Sequence, residues 1–129
     1  MAQIRFAHTA DWHIGNCDLD DTERLLNVFV DQVIESGVDT VLHAGDVFHK
    51  ESSRQERLLV KRILDRLHAN NVSFLCARGN HDAMDDLMVF DERSGHLSWF
   101  RQQPSMWSGY TFHVQFLPWF SKQHIAAQC

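Results

Sequence analysis

Short apolar runs alternate with longer stretches of helical period along the first two thirds of the chain. Ile4-Arg5-Phe6-Ala7-His8 has strand character. From Thr22 to Ser36, apolar residues recur at Leu25, Phe29 and Val33, and again at Leu26, Val30 and Ile34. Two adjacent i, i+4 rows predict an amphipathic helix with a broad buried face. Asp20 with Glu23 resembles a capping box at its start, and Gly37 is a stop at the C′ position. Val38 to Ala44 returns to strand. Ser53 and Glu56 form a second capping box ahead of a helix with Leu59, Val60, Ile63, Leu64 and Leu67 on its apolar side, ended by Asn70-Asn71. Val72 to Ala77 is a third strand. The order β-α-β-α-β with short connections predicts an α/β fold on a parallel sheet, because right-handed crossovers carry each strand back beside the last. After Asp85 the pattern weakens. Leu87 to Asp91 reads as a short helix, and His96 to Phe100 and Tyr110 to Trp119 as aromatic strands or covering segments.

Each of the three strands runs directly into a polar cluster. The first is Asp11-Trp12-His13, the second Gly45-Asp46-Val47-Phe48-His49, the third Gly79-Asn80-His81-Asp82. Asp11 and Asn80 lie 35 and 34 residues either side of Asp46, each gap being about one βαβ unit of roughly 30 or more residues. Open α/β sheets place their ligands at the carboxyl ends of strands, so the spacing predicts one site lined by three neighbouring strands. Asp11 and His13, two apart on an extended segment, point to the same side and reach one metal ion. Asp46 has two oxygens with which to bridge a pair of ions, and Asn80 offers a neutral carbonyl oxygen. Oxygen and nitrogen donors without sulfur suit Mn²⁺, Fe²⁺, Zn²⁺ or Mg²⁺. Two such ions would clamp the attacking and leaving oxygens of a phosphoryl centre. His81 is placed to hydrogen-bond the phosphate or protonate the leaving oxygen, with Asp82 orienting its imidazole. Each cluster alone is common loop chemistry; their order and spacing carry the prediction.

Composition narrows the setting. At 129 residues, 44% hydrophobic and 22% charged, the chain fits one domain with a packed core. A formal net charge of -5 supplies no overall basic field for nucleic acid, which leaves bound cations to provide positive charge locally. Cys17, Cys76 and Cys129 form no Cys-x-x-Cys pair and fit a reducing, cytoplasmic setting. No apolar stretch approaches the roughly 18–20 residues that cross a membrane.

With these residues in view, the chain resembles the amino-terminal part of a calcineurin-like metallophosphoesterase. Within that superfamily it is similar to the double-strand-break-repair exonucleases of the SbcD-like branch. His8-Thr9-Ala10-Asp11-Trp12-His13-Ile14-Gly15, Ala44-Gly45-Asp46-Val47-Phe48-His49 and Gly79-Asn80-His81-Asp82 carry the resemblance. It implies a four-layer αββα sandwich, of which residues 1–129 would form the amino-terminal β-α-β-α-β half plus following strands. It implies two divalent metals, often manganese, with Asp11 and His13 on the first, Asp46 bridging and Asn80 on the second. It also implies His81 at the phosphate with Asp82 behind it, and His49 assisting exonucleolytic cleavage. Its partners would be DNA, an ATPase subunit of the chromosome-maintenance type and a second copy of the chain. The family completes its site with a later histidine and a Gly-His-x-His motif that this sequence lacks. The chain is therefore expected to stop short of three ligands, and to bind metal poorly by itself. Two other readings stand beside a DNA exonuclease: a small-molecule phosphoesterase of the same superfamily, and an inactive fragment that docks a partner.

Overall fold

A computed structural model describes residues 5–83, 86–91, 98–101, 105–108 and 113–116. Strand β1 (Ala7–Thr9) leads to helix α1 (Leu19–Glu35), β2 (Thr40–His43), α2 (Arg54–Ala69) and β3 (Ser73–Ala77). A single 3₁₀ turn (Met88–Phe90) and strands β4 (Ser98–Arg101), β5 (Ser105–Ser108) and β6 (His113–Phe116) follow. The first four strands form one parallel sheet in the order β1-β2-β3-β4, with Ala7 opposite Val41, Val41 opposite Phe74 and Phe74 opposite Ser98. The α/β class and the parallel sheet are as the pattern predicts, and β4 extends that sheet by a fourth strand. Strands β5 and β6 pair antiparallel as a separate ribbon. Expectations for the segment after Phe116, and for His96, lie outside the described residues.

The sheet register decides which side chains meet the helices. Val41, Phe74, Cys76 and Phe100 join Leu26, Val30 and Val33 of α1 and Leu59, Val60, Ile63, Leu64 and Leu67 of α2 in one buried cluster. Fully burying such an aliphatic or aromatic side chain is worth about 1.5–3 kcal/mol. Residues one step out of phase, among them Leu42 and Leu75, face the other side, where they share a cleft with Val114 and Phe116 of β6. Both helices pack on the same face and are tied to each other. The Arg66 guanidinium donates to Asn27 Oδ1 at 2.7 Å and Asp31 Oδ1 at 2.6 Å, and Arg62 pairs with Glu23.

Helix α1 differs from the pattern in two ways. Its buried stripe is Leu26, Val30 and Val33, with half-buried Phe29 and Ile34 packed beside it, while Leu25 is 65% exposed. Both predicted rows thus contribute to the packed face, and Leu25 stands at its solvent margin. The helix also starts earlier, at Leu19, so Asp18 is the N-cap and accepts from Asp21 N, in place of the Asp20–Glu23 box. The α2 box forms as read: Ser53 Oγ accepts from Glu56 N, and Glu56 Oε2 accepts from Ser53 N. Asn71 at φ +57° turns the chain out of α2 into β3. Among the described residues no helix is long and apolar enough to cross a membrane.

Candidate metal centre

The loops after β1 and β2 do not diverge where the strands end. Their backbones stay paired: Asp11 N donates to Gly45 O, His13 N to Asp46 O, and Ile14 N to Val47 O, at 2.9–3.0 Å. His49 N closes the ladder on Ile14 O. Ile14, Val47 and Phe48 are buried beneath it, so the two loops are pinned by core packing as well as by hydrogen bonds. Within this ladder Asp11 (φ +55°), His13 (φ +46°) and Asp46 (φ +59°) adopt the left-handed conformation. That conformation costs a non-glycine residue roughly 1–2 kcal/mol. The expected extended Asp11–His13 segment is therefore kinked at both residues. The two kinks still return both side chains to one side, with His13 Nε2 3.9 Å from Asp11 Oδ1.

The loop after β3 seats against Asp46 through glycine. A Cβ on Gly79 would lie 2.1 Å from Asp46 Oδ1 and 2.3 Å from Asp46 N. Gly45, at φ +108°, has the backbone of Gly79 within 2.6 Å of where its own Cβ would be. Only two residues without side chains permit that approach. His81 N then donates to Asp46 Oδ1 at 2.8 Å, leaving Oδ2 toward His13 Nε2 at 3.7 Å.

Asp82 differs from its expected role. Its side chain turns inward, 1% exposed, and accepts three backbone N–H groups: Asp46 and Gly79 on Oδ2, and Phe48 on Oδ1. Burial raises its pKa, the three hydrogen bonds oppose that rise, and the Asp46 charge adds to it. Asp82 thus fastens the second loop to the third. The imidazole of His81 is held elsewhere, its Nδ1 2.9 Å from the His49 carbonyl. Neighbouring residues in this turn face opposite ways: Asp82 into the core, His81 to solvent.

The three imidazoles of His13, His49 and His81 cluster above the carboxylates. His49 stacks on His81 with centroids 5.4 Å apart, and His13 meets His81 edge-on at 4.8 Å. His13 Nδ1 and His49 Nδ1 lie 3.2 Å apart. Asn80 is exposed in the loop between Gly79 and His81.

One buried residue of this region escaped the motif reading. His43 is 3% exposed, and its Nδ1 accepts from Gly45 N at 3.0 Å, supporting the turn that presents Asp46. Trp12 meets its ring edge-on at 4.7 Å. Burial, helped by the charge of His8, lowers its pKa to about 3, so it is neutral. Its Nε2 is buried without a partner among the described residues. A histidine ending an apolar strand, one residue before Gly45-Asp46, was the available signal.

The donor set fits a divalent cation. One oxygen each of Asp11 and Asp46 and one nitrogen of His13 lie within 4.8 Å of one another. The 3.7 and 3.9 Å separations are too long for hydrogen bonds, so the three groups converge without satisfying each other. Two carboxylates beside an imidazole suit an oxygen- and nitrogen-preferring divalent ion.

Known proteins resemble this chain in sequence and in fold. The DNA double-strand break repair protein Mre11 of Methanosarcina acetivorans is 32% identical over 96 residues, 69% of this chain and 16% of that protein. Mre11 of Saccharolobus solfataricus is 31% identical over 86 residues, 61% of this chain and 23% of that protein. The chain thus spans less than a quarter of the length of these relatives. A crystal structure of Pseudomonas putida nuclease MPE matches with a TM-score of 0.51 at 20% identity, over 81% of this chain and 50% of that one, a likeness of fold. The family model for the calcineurin-like phosphoesterases matches residues 4–126. A match of that extent, over a parallel sheet whose loops bring Asp11, His13 and Asp46 together, makes this chain a member of the calcineurin-like phosphoesterase family.

Proposed function

We propose that this chain carries the metal-binding part of a phosphodiester hydrolase acting on DNA, an exonuclease of the double-strand-break-repair type. The observation that carries the reading is the convergence of the Asp11 and Asp46 carboxylates on His13 Nε2. Asp11 and His13 would hold one cation, Asp46 would be shared, and Asn80 would serve a second, with Mn²⁺ as the proposed metal. When bound, such cations stabilise charge on the phosphoryl oxygens and make water easier to deprotonate.

The protein's own groups supply the rest. The His81 imidazole donates from Nδ1 to the His49 carbonyl, so its Nε2 is left to act on substrate. Protonated there, it gives that proton to the leaving oxygen as the P–O bond breaks. His49, stacked on it, assists at the same phosphate. Asp82 keeps the loops of Asp46 and His81 in register through its three N–H contacts. The Mre11 relatives, named for DNA double-strand break repair, support DNA as substrate; an ATPase of the chromosome-maintenance type is proposed as partner from the family resemblance. Free Cys17 and Cys76 fit a cytoplasmic location.

The test compares wild type with Asp46→Ala, both in a form of the protein completed with the later histidine ligands, on linear duplex DNA and on bis(p-nitrophenyl) phosphate, each with Mn²⁺. Wild type is expected to release nucleotides and the variant none. Equal hydrolysis by both would overturn the assignment of Asp46. Turnover of the small ester alone would make the protein a small-molecule phosphoesterase, and absence of Mn²⁺ binding by calorimetry would leave a non-catalytic domain.

A further inference from the structure

We infer that His49 is a positioning residue for His13, the imidazole that fixes which nitrogen of His13 is offered to a metal. The inference rests on the metal-binding reading of Asp11, His13 and Asp46 given above. The two nitrogens of His13 face different surroundings. Nε2 looks toward Asp46 Oδ2 and Asp11 Oδ1 at 3.7 and 3.9 Å, whereas Nδ1 lies 3.2 Å from His49 Nδ1. A coordinating nitrogen carries no proton, and a neutral imidazole carries one. With Nε2 committed to a cation, the proton of His13 sits on Nδ1 and is donated to His49 Nδ1. That nitrogen must then be the bare one, so the single proton of His49 stands on Nε2.

His49 is itself held firmly enough to serve as an anchor. Its backbone N–H donates to Ile14 O, its carbonyl accepts from His81 Nδ1, and its ring stacks on His81 with 15° between planes. Metal-binding histidines generally give their second N–H to a carboxylate or a carbonyl. In this chain an imidazole occupies that position. The consequence reaches the substrate side: the tautomer that supports His13 is the one that leaves His49 with an N–H donor at Nε2, next to His81. One ring would both orient a ligand and present a donor.

Side-chain geometry separates this role from a general packing role. Asparagine places Oδ1 about where histidine has Nδ1, so His49→Asn keeps an acceptor for His13. Glutamine places its oxygen near Nε2, out of reach, and phenylalanine keeps the ring without any acceptor. Mn²⁺ affinity, read by calorimetry, is expected to stay near wild type in His49→Asn. It should fall about 10- to 100-fold in His49→Gln and His49→Phe, the usual loss when such a supporting partner is removed. Equal weakening in all three variants, or full affinity in His49→Phe, would overturn the inference.

A second measurement does not depend on metal. Long-range ¹⁵N–¹H spectra of the metal-free protein, above the pH range in which imidazoles are protonated, report the tautomers of His13 and His49. One of the two is expected to carry its proton on Nδ1 and the other on Nε2, since a single proton lies between the paired δ nitrogens. Both rings protonated on Nε2 would mean no hydrogen bond joins them, and the inference would fail whether or not Mn²⁺ binds. Absence of Mn²⁺ binding alongside paired tautomers would instead overturn the metal reading and leave the ring pairing standing.

Discussion

The neutral His43 beneath the Gly45–Asp46 turn makes the sharpest prediction about stability. Its folded-state pKa is lowered from the ordinary 6.5 to about 3, first by burial and then by the charge of His8. Above pH 6.5 both folded and unfolded chains carry the neutral ring, and the group contributes no pH dependence. As the pH falls from 6.5 toward 3, the unfolded chain takes a proton that the folded chain refuses, so stability is lost across that window. Each pH unit corresponds to 1.36 kcal/mol, so at about pH 4 the loss is about 3 kcal/mol. That is a large share of a typical domain stability of about 5–15 kcal/mol. His43→Leu removes the titration. At neutral pH its effect is smaller, because two changes oppose. The Gly45 N–H loses its acceptor, while the unpartnered Nε2 disappears; each is worth about 1–3 kcal/mol. Urea denaturation of both proteins at about pH 7 and about pH 4 checks the difference. Wild type is expected to lose about 3 kcal/mol more than the variant on acidification. Asp82 acts in the opposite sense: its raised pKa lets the folded chain hold a proton more readily as pH falls. That contribution is common to both proteins and cancels. Equal pH dependence in the two would refute a buried neutral His43.

Three further outcomes follow from the geometry around Asp46 and from the α2 cap. Gly79→Ala forces a Cβ to within 2.1 Å of Asp46 Oδ1; calorimetry should find Mn²⁺ affinity at least about 10-fold weaker, and unchanged affinity would show that the Gly79–Asp46 approach is not constraining. Asp82→Ala leaves the N–H groups of Asp46, Phe48 and Gly79 without their acceptor. At about 1 kcal/mol or more for each buried donor, urea unfolding should show a loss of about 3 kcal/mol or more. Ser53→Ala removes half of the α2 capping box and should lower stability by about 1 kcal/mol in the same assay, leaving Mn²⁺ affinity unchanged.

The interior of the fold was readable in residue order because both periodicities were clean. Leu59, Val60, Ile63, Leu64 and Leu67 recur at helical spacing and are all buried in α2. The Ser53–Glu56 box lies entirely within four residues, so local chemistry suffices to form it. In α1 both apolar rows reach the core, with Phe29 and Ile34 half-buried, and only the packing partner could decide that Leu25 lies outside it. Leu26, Val30 and Val33 were taken, and Leu25 was left to solvent. The start of α1 was misplaced for a related reason. Asp18 and Asp20 are both plausible caps, and the fold chose the one that lets half-buried Leu19 enter the helix against the core.

For the site, the sequence by itself determined the cast: three clusters at one βαβ spacing, each directly after a strand, with Asp46 in the middle. Spacing alone implies that convergence, because neighbouring parallel strands end on the same edge of a sheet. What each side chain does there was decided by tertiary structure. Asp82 is adjacent to His81 in sequence, yet it serves the backbone of Asp46 and Phe48, 36 and 34 residues away, as well as Gly79 in its own loop. His13 and His49 are 36 residues apart, and their paired nitrogens exist only because the loop ladder brings them within 3.2 Å. His43 carries no motif at all; burial, with the charge of His8, makes it neutral, and the fold sets it under the turn. Residue types and spacing follow from covalent order. Hydrogen-bond partners, burial and tautomers depend on atoms brought close from distant positions, and those distances arise only in the folded chain.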